Sequence, residues 1–178
     1  NQGTFHETMN MAAVWKLPVL FVCENNLYGI GTAIERSTAE LDQYKRVAAY
    51  NIEAAMADGQ DVVTVHDAAT IAIDHVRSTR TPYFLELKTY RFRGHSMSDG
   101  GKYRSREEEA EWKKRDPVRL LKDSLVADGA LEEAEYKAMD RAILSRIQEQ
   151  IIPFAEQGLE PDLAHVETHV LSPDLRWA

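Results

Sequence analysis

The sequence predicts an α/β fold: a parallel sheet with helices on both faces, followed by a helical C-terminal extension. Three observations lead to it. "PVLFVCE" is short, β-branched and apolar toward both faces, as a strand buried inside a parallel sheet is. Strand-like and helix-like segments then alternate, which implies right-handed crossovers and helices packed on both sides of the sheet. Beyond residue 106 the strand-like segments stop and charged, helix-forming sequence takes over.

Taken in order, Gln2 to Leu17 places Phe5, Met9, Ala12, Ala13 and Trp15 mostly at helical spacings, and Pro18 stops that helix. "PVLFVCE" is the first strand. After a polar loop, "QYKRVAAYNIEAAMADG" reads as a helix with Val47, Tyr50, Ala54 and Ala57 on one side and Gly59 as its stop. "DVVTVHD" reads as the second strand, "AATIAIDHVRS" as a short helix and "TPYFLELKTYRF" as the third strand. In "DPVRLLKDSLVADG", Asp116 is an N-cap, Pro117 the first helical residue and Gly129 the residue past the end. A longer helix from about Leu131 aligns Tyr136, Met139, Ile143, Ile147 and Ile151 as a packing face, with Pro153 kinking or ending it. The tail "VETHVLSPDLRWA" reads as an extended arm.

The 178 residues suffice for one domain with a core plus a helical appendage. With 21 Lys and Arg against 29 Asp and Glu, the chain lacks the basic balance of a general nucleic-acid or anionic-membrane surface. Residues 88 to 106 differ, with Lys88, Arg91, Arg93, Lys102, Arg104 and Arg106 against Asp99 alone. That segment suits an anionic ligand or is a solvated basic loop. Cys23 is the only cysteine, read as a small core residue, so no internal disulfide is available. No stretch has the length of an apolar membrane span. The chain opens on "NQGTFHE" without Met, so an address further upstream would not be visible.

Ligands of open parallel sheets lie beyond the carboxyl ends of the strands. Two polar segments leave strands there, "ENNLYG" after the first and "RFRGHSMSDGGKYR" after the third. An Asn oxygen is a hard neutral ligand for Mg²⁺, which combines one or two carboxylates with substrate phosphates. Asn25 and Asn26 therefore fit either a diphosphate-bound metal or a plain turn, since Asn also forms Asx-turns. His95 follows a Gly in the cationic loop and is either functional or a surface histidine. His66, His75, His165 and His169 have no metal-ligand spacing, and no Walker, Rossmann, nucleophile-elbow or His-Glu-x-x-His motif is present.

"NQGTFHETMNMAAVWKLPVLFVCENNLYGIGTAIERS" and "LELKTYRFRGHSMSDGGKYRSREE" resemble the alpha subunit of thiamine-diphosphate-dependent 2-oxo acid dehydrogenases, most closely the pyruvate type. The likeness extends through "RDPVRLLKDSLV" and fades over the last thirty or so residues. It implies a partial thiamine-diphosphate-binding α/β domain over 1–106, with 107–178 as the helical extension and tail of the same subunit. It further implies Mg²⁺ coordinated by the Asn26 side-chain oxygen and the Tyr28 main-chain carbonyl. His95 would touch the cofactor diphosphate and help order the active-site loop. Ser96 matches a position phosphorylated in mammalian relatives and reads here as a plain loop serine. The family signature joins a Gly-Asp-Gly turn to Asn-Asn some thirty residues on; only the second half occurs in these residues. The 178-residue chain alone is therefore expected to be inactive.

The implied reaction is decarboxylation of a 2-oxo acid with acyl transfer to the lipoyl arm of a partner acyltransferase. The implied partner is a beta subunit in an α2β2 heterotetramer. The resemblance implies the cytoplasm of a bacterium or the mitochondrial matrix of a eukaryote. Acetoin and branched-chain versions share this machinery, and "YGIGTAIERS" favours pyruvate. A non-catalytic oligomerisation module is the alternative of another class, with the joint presence of Asn26, Tyr28 and His95 against it.

Overall fold

The computed structural model describes residues 2–163 and divides into two compact units, 1–128 and 129–178. The first holds a three-stranded parallel sheet, β1 (Leu20–Asn25), β4 (Glu53–Asp58) and β5 (Tyr83–Lys88), in the order β1-β5-β4. Central β5 is buried on both sides, and its alternating side chains divide the core in two. Tyr83 and Leu85 join Ala57 beneath Ala72 and Val76 of α3 (Val62–Thr79). Phe84, on the other face, packs with Met9 of α1 (Gly3–Val14), Val47 and Ile52. The expected α/β architecture with helices on both faces is thus present.

Two elements exchange their expected identities. The segment 43–59 is not one helix: α2 (Gln43–Arg46) passes into a 3-10 turn that ends where Asn51 adopts φ 55°, and the Ala-rich "EAAMAD" becomes strand β4. Its small side chains let helices approach both faces, and pairing with β5 overrides their helical propensity. Conversely "DVVTVHD" is not a strand. The Asp61 carboxylate accepts the N–H groups of Val63 (3.0 Å) and Thr64 (3.1 Å), so the helix nucleates there despite four β-branched residues.

Gly59 is not a helix stop but the point where the end of β4 closes on β5. A Cβ there would lie 2.4 Å from Thr89 Cγ2 and 2.8 Å from the Lys88 carbonyl oxygen. Only glycine accommodates that approach.

A short hairpin, β2 (Tyr28–Gly29) with β3 (Thr32–Ala33), follows β1. After the long loop that leaves β5, α4 (Arg106–Lys113) is capped by Ser105, and its Trp112 stacks on Tyr90 at 4.9 Å. Helix α5 (Pro117–Ala127) has Asp116 as its cap and Pro117 in its first turn, and Gly129 takes φ 68°, as the sequence predicts.

The second unit, considered by itself, contains α6 (Glu133–Arg146), a π-helical turn (Ile147–Ile151) and α7 (Ile152–Glu156). Pro153 does not end the helix. Its nitrogen carries no proton to donate to the carbonyl four residues back, and the wider π turn ends two residues before it. Met139, Ile143, Ile147 and Ile151 are exposed among the described residues. The arm expected over 166–178 lies outside the described residues. No described helix is long and apolar enough to cross a membrane.

Candidate functional site at the carboxyl edge of the sheet

Parallel pairing of β1 with β5 brings the two polar segments to one edge, where Thr89 donates its N–H to the Asn25 carbonyl at 2.9 Å. The turn after β1 is built by its two asparagines. Asn25 Oδ1 accepts from Leu27 N and Asn26 Oδ1 from Tyr28 N, each at 3.2 Å. Between them Leu27 is held at φ 70°, a conformation a branched side chain adopts only when its surroundings impose it.

Asn25 is buried and Asn26 half-buried. The Asn25 amide donates to Glu86 Oε1 at 2.7 Å, and Glu86 is fully buried. Lys88 Nζ lies 2.9 Å from the same oxygen, while Glu86 Oε2 accepts the Tyr44 N–H at 2.9 Å. The carboxylate is thereby compensated by one cation and two N–H donors. Cys23, on the same side of β1, has its thiol pushed up by burial and then by Glu86.

The Asn26–Tyr28 turn lines a cleft of about 280 Å³ that also includes Gln43 and Arg46. A larger cleft of about 520 Å³ lies at the opposite edge, lined by Glu53, His75, Thr81 and Pro82 among others. His75 there approaches Glu53 Oε2 at 3.3 Å and Thr81 Oγ1 at 3.1 Å. The carboxyl edge is the edge where open parallel sheets bind ligands.

His95 is exposed and stands outside the lining of the smaller cleft. Its Nδ1 meets Arg91 Nη1 at 3.1 Å. A guanidinium only donates, so Nδ1 accepts and the neutral ring carries its proton on Nε2. The His95 N–H donates to Asp99 Oδ2 at 2.7 Å; Gly101 N and the Tyr103 hydroxyl also donate to Asp99, each at 2.8 Å. The His95 N–H leads these donors in holding the Asp99 carboxyl down at about 2. Loop and turn then meet ring to ring, Tyr103 against Tyr28 at 5.5 Å. The Ser96 hydroxyl meets that of Ser98 at 3.0 Å, and the Ser96 carbonyl accepts the Asp99 N–H at 3.1 Å.

Half of the basic character of this segment is used internally. Lys88 pairs with Glu86, Arg91 with His95, and buried Arg104 with Glu109 and the Arg91 carbonyl. Arg93, Lys102 and Arg106 remain exposed. The sequence does not single out Glu86 or Glu108, and it places Arg104 only within the basic segment as a candidate for an anionic ligand and not as a buried partner of Glu109. A charge inside the apolar strand "YFLELK" was the one signal available for Glu86.

As a Mg²⁺ site the turn offers neutral oxygens only. The described residues contain no cluster of three His, Cys, Asp or Glu suited to a metal. Asn26 Oδ1 has one lone pair left after accepting from Tyr28, which fits an ion whose remaining ligands come from a diphosphate, water and a carboxylate.

The family model of the dehydrogenase E1 component matches residues 1–163. The chain belongs to that family. Among relatives of this dehydrogenase E1 chain, the pyruvate dehydrogenase E1 component subunit alpha of Zymomonas mobilis is 46% identical over 172 residues, which are 96% of this chain and 48% of the relative. The protein of the same name from Rickettsia conorii is 40% identical over 170 residues, 96% of this chain and 52% of the relative. The human somatic, mitochondrial form is 44% identical over 176 residues, 98% of this chain and 44% of the relative. The dehydrogenase E1 chain thus spans about half the length of the curated relatives it matches.

Proposed function

We propose that this chain forms part of the alpha subunit of a pyruvate-type 2-oxo acid dehydrogenase and supplies one half of a site for thiamine diphosphate and Mg²⁺. The observation that carries the reading is the Asn26–Tyr28 turn at the carboxyl end of β1, beside the His95 loop that leaves β5, in a member of the dehydrogenase E1 component family. The names of the relatives favour pyruvate over acetoin or branched-chain substrates.

Asn26 Oδ1 and the Tyr28 carbonyl would hold the metal, with the diphosphate and a carboxylate outside this turn supplying further ligands. His95 would donate from Nε2 to a diphosphate oxygen, a role that Arg91 preserves by occupying Nδ1. Exposed Arg93 and Lys102 bias the edge toward anions. When bound, thiamine diphosphate supplies the electron sink for loss of CO₂ from the 2-oxo acid. This chain orients the diphosphate end; the beta subunit of an α2β2 assembly completes the site, and a lipoyl-bearing acyltransferase takes the acyl group. The proposed location is the bacterial cytoplasm or the mitochondrial matrix, and the named relatives include both bacterial and mitochondrial proteins.

Reconstitution tests the reading. The full-length subunit with its beta partner should bind thiamine diphosphate only when Mg²⁺ is present and should turn over pyruvate faster than acetoin or branched-chain 2-oxo acids. Faster turnover of either of the others reassigns the substrate, and absence of metal-dependent cofactor binding points to the non-catalytic module.

A further inference from the structure

We infer that Glu108 is a positioning residue for the metal-binding turn, one carboxylate oxygen fastening Tyr28 on that turn to Tyr90 at the root of the His95 loop. The inference rests on the cofactor site proposed above and adds the device that holds its two halves in register. Glu108 Oε1 accepts the Tyr28 hydroxyl at 2.8 Å and the Tyr90 hydroxyl at 2.9 Å. Each phenol has a single proton to donate, and both point at the same oxygen. Tyr28 lies two residues from Asn26, and Tyr90 two residues past β5.

Glu108 is itself well placed. It sits in the first turn of α4, where its N–H donates to the Ser105 cap at 3.0 Å, and the helix terminus favours a negative charge. Trp112, one turn further on, stacks on Tyr90 with planes 5° apart. Helix α4 therefore grips Tyr90 by ring and by hydroxyl, and Tyr28 by hydroxyl.

Arg104 fills the space between the rings. Its guanidinium lies 5.4 Å from the Tyr90 and Tyr103 centroids and 5.8 Å from that of Tyr28. Its Nε is buried without a hydrogen-bond partner, so at that atom the aromatic faces stand in for a conventional acceptor. Burial, followed by the bond to Glu108, pushes the Tyr28 hydroxyl up to about 12 and raises that of Tyr90 as well. Both phenols thus remain donors at every physiological pH.

The consequence concerns metal affinity. Releasing the Tyr28 hydroxyl lets the turn rotate, and the Tyr28 carbonyl and Asn26 oxygen lose their common orientation. In metal sites, removing such an outer partner weakens binding on the order of tenfold or more. The test uses the full-length subunit assembled with its beta partner, titrated with Mg²⁺ at fixed thiamine diphosphate and followed by calorimetry. Tyr28→Phe removes one oxygen and keeps the main chain; Glu108→Ala removes the acceptor. Each should raise the half-saturating Mg²⁺ concentration on the order of tenfold, and the double variant should be no worse than either alone, because both break one link. A side chain that only supports the fold would lower the melting temperature and leave the Mg²⁺ dependence in place. Unchanged half-saturation in Tyr28→Phe, or additive losses in the double variant, overturns the inference while the cofactor reading stands. Failure of the unsubstituted assembly to bind metal and cofactor overturns both.

Discussion

Asn25 donates its side-chain amide to Glu86 across adjacent parallel strands at 2.7 Å, and no part of Glu86 reaches solvent. The turn that projects Asn26 is therefore anchored from below by a buried charge. The same carboxylate reaches α2 through Tyr44 N. Sheet, helix and turn are tied at one group.

Replacing that group should be costly. Glu86→Ala leaves the Tyr44 N–H without an acceptor and the Asn25 amide with only the long 3.4 Å bond to the Leu41 carbonyl, while Lys88 retains Asp42 at 3.1 Å and access to water. We expect a loss of about 3 kcal/mol in urea unfolding, with Glu86→Gln losing less because its amide oxygen still accepts. A loss below about 1 kcal/mol would show that the cluster is not anchored as described.

Gly59→Ala tests the reassigned β4. A methyl group there meets Thr89 and the Lys88 carbonyl at distances no side chain tolerates, so strand ends must part. The expected cost is about 1–3 kcal/mol, read from the denaturation midpoint. Were this residue the end of a surface helix, alanine would be nearly neutral.

The exchange between helix and strand shows what a single sequence discloses here. Strand β5 is a short apolar run whose burial is written in its composition, and α5 carries its own cap and proline, but the equally apolar β1 is an edge strand with Val22 exposed and not the strand buried on both faces that its composition suggests. Segment 53–58 is Ala-rich and becomes a strand only because β5 lies beside it; 62–65 is β-branched and becomes helical because Asp61 caps it. Asn26 stands out in the sequence because it follows directly on a strand end, whereas Tyr28 enters only through the family resemblance. Glu86 and Glu108 act on partners 61 and 80 residues away in sequence, and that pairing exists only once the chain has folded.

The Asp99 carboxyl should titrate far below an ordinary aspartate. Its folded pKa of about 2 lies below its ordinary value of 3.8, so the loop bonds it accepts are fully present above that ordinary value and are lost as pH falls through about 2. Carboxyl NMR should place the midpoint near the lower value, and protection of the His95 and Gly101 amides against hydrogen exchange should decline over the same interval. A midpoint near 4 would show that the loop does not hold Asp99 in this way.

The central claim is that Asn26 carries the metal while Asn25 carries the turn. Calorimetric titration of thiamine diphosphate with Mg²⁺ into the full-length subunit and its beta partner, comparing Asn26→Ala with the unsubstituted protein, tests it most directly. Affinity is expected to fall on the order of tenfold or more in Asn26→Ala, with the melting temperature of the metal-free protein little changed. Equal affinity in the two proteins would contradict it.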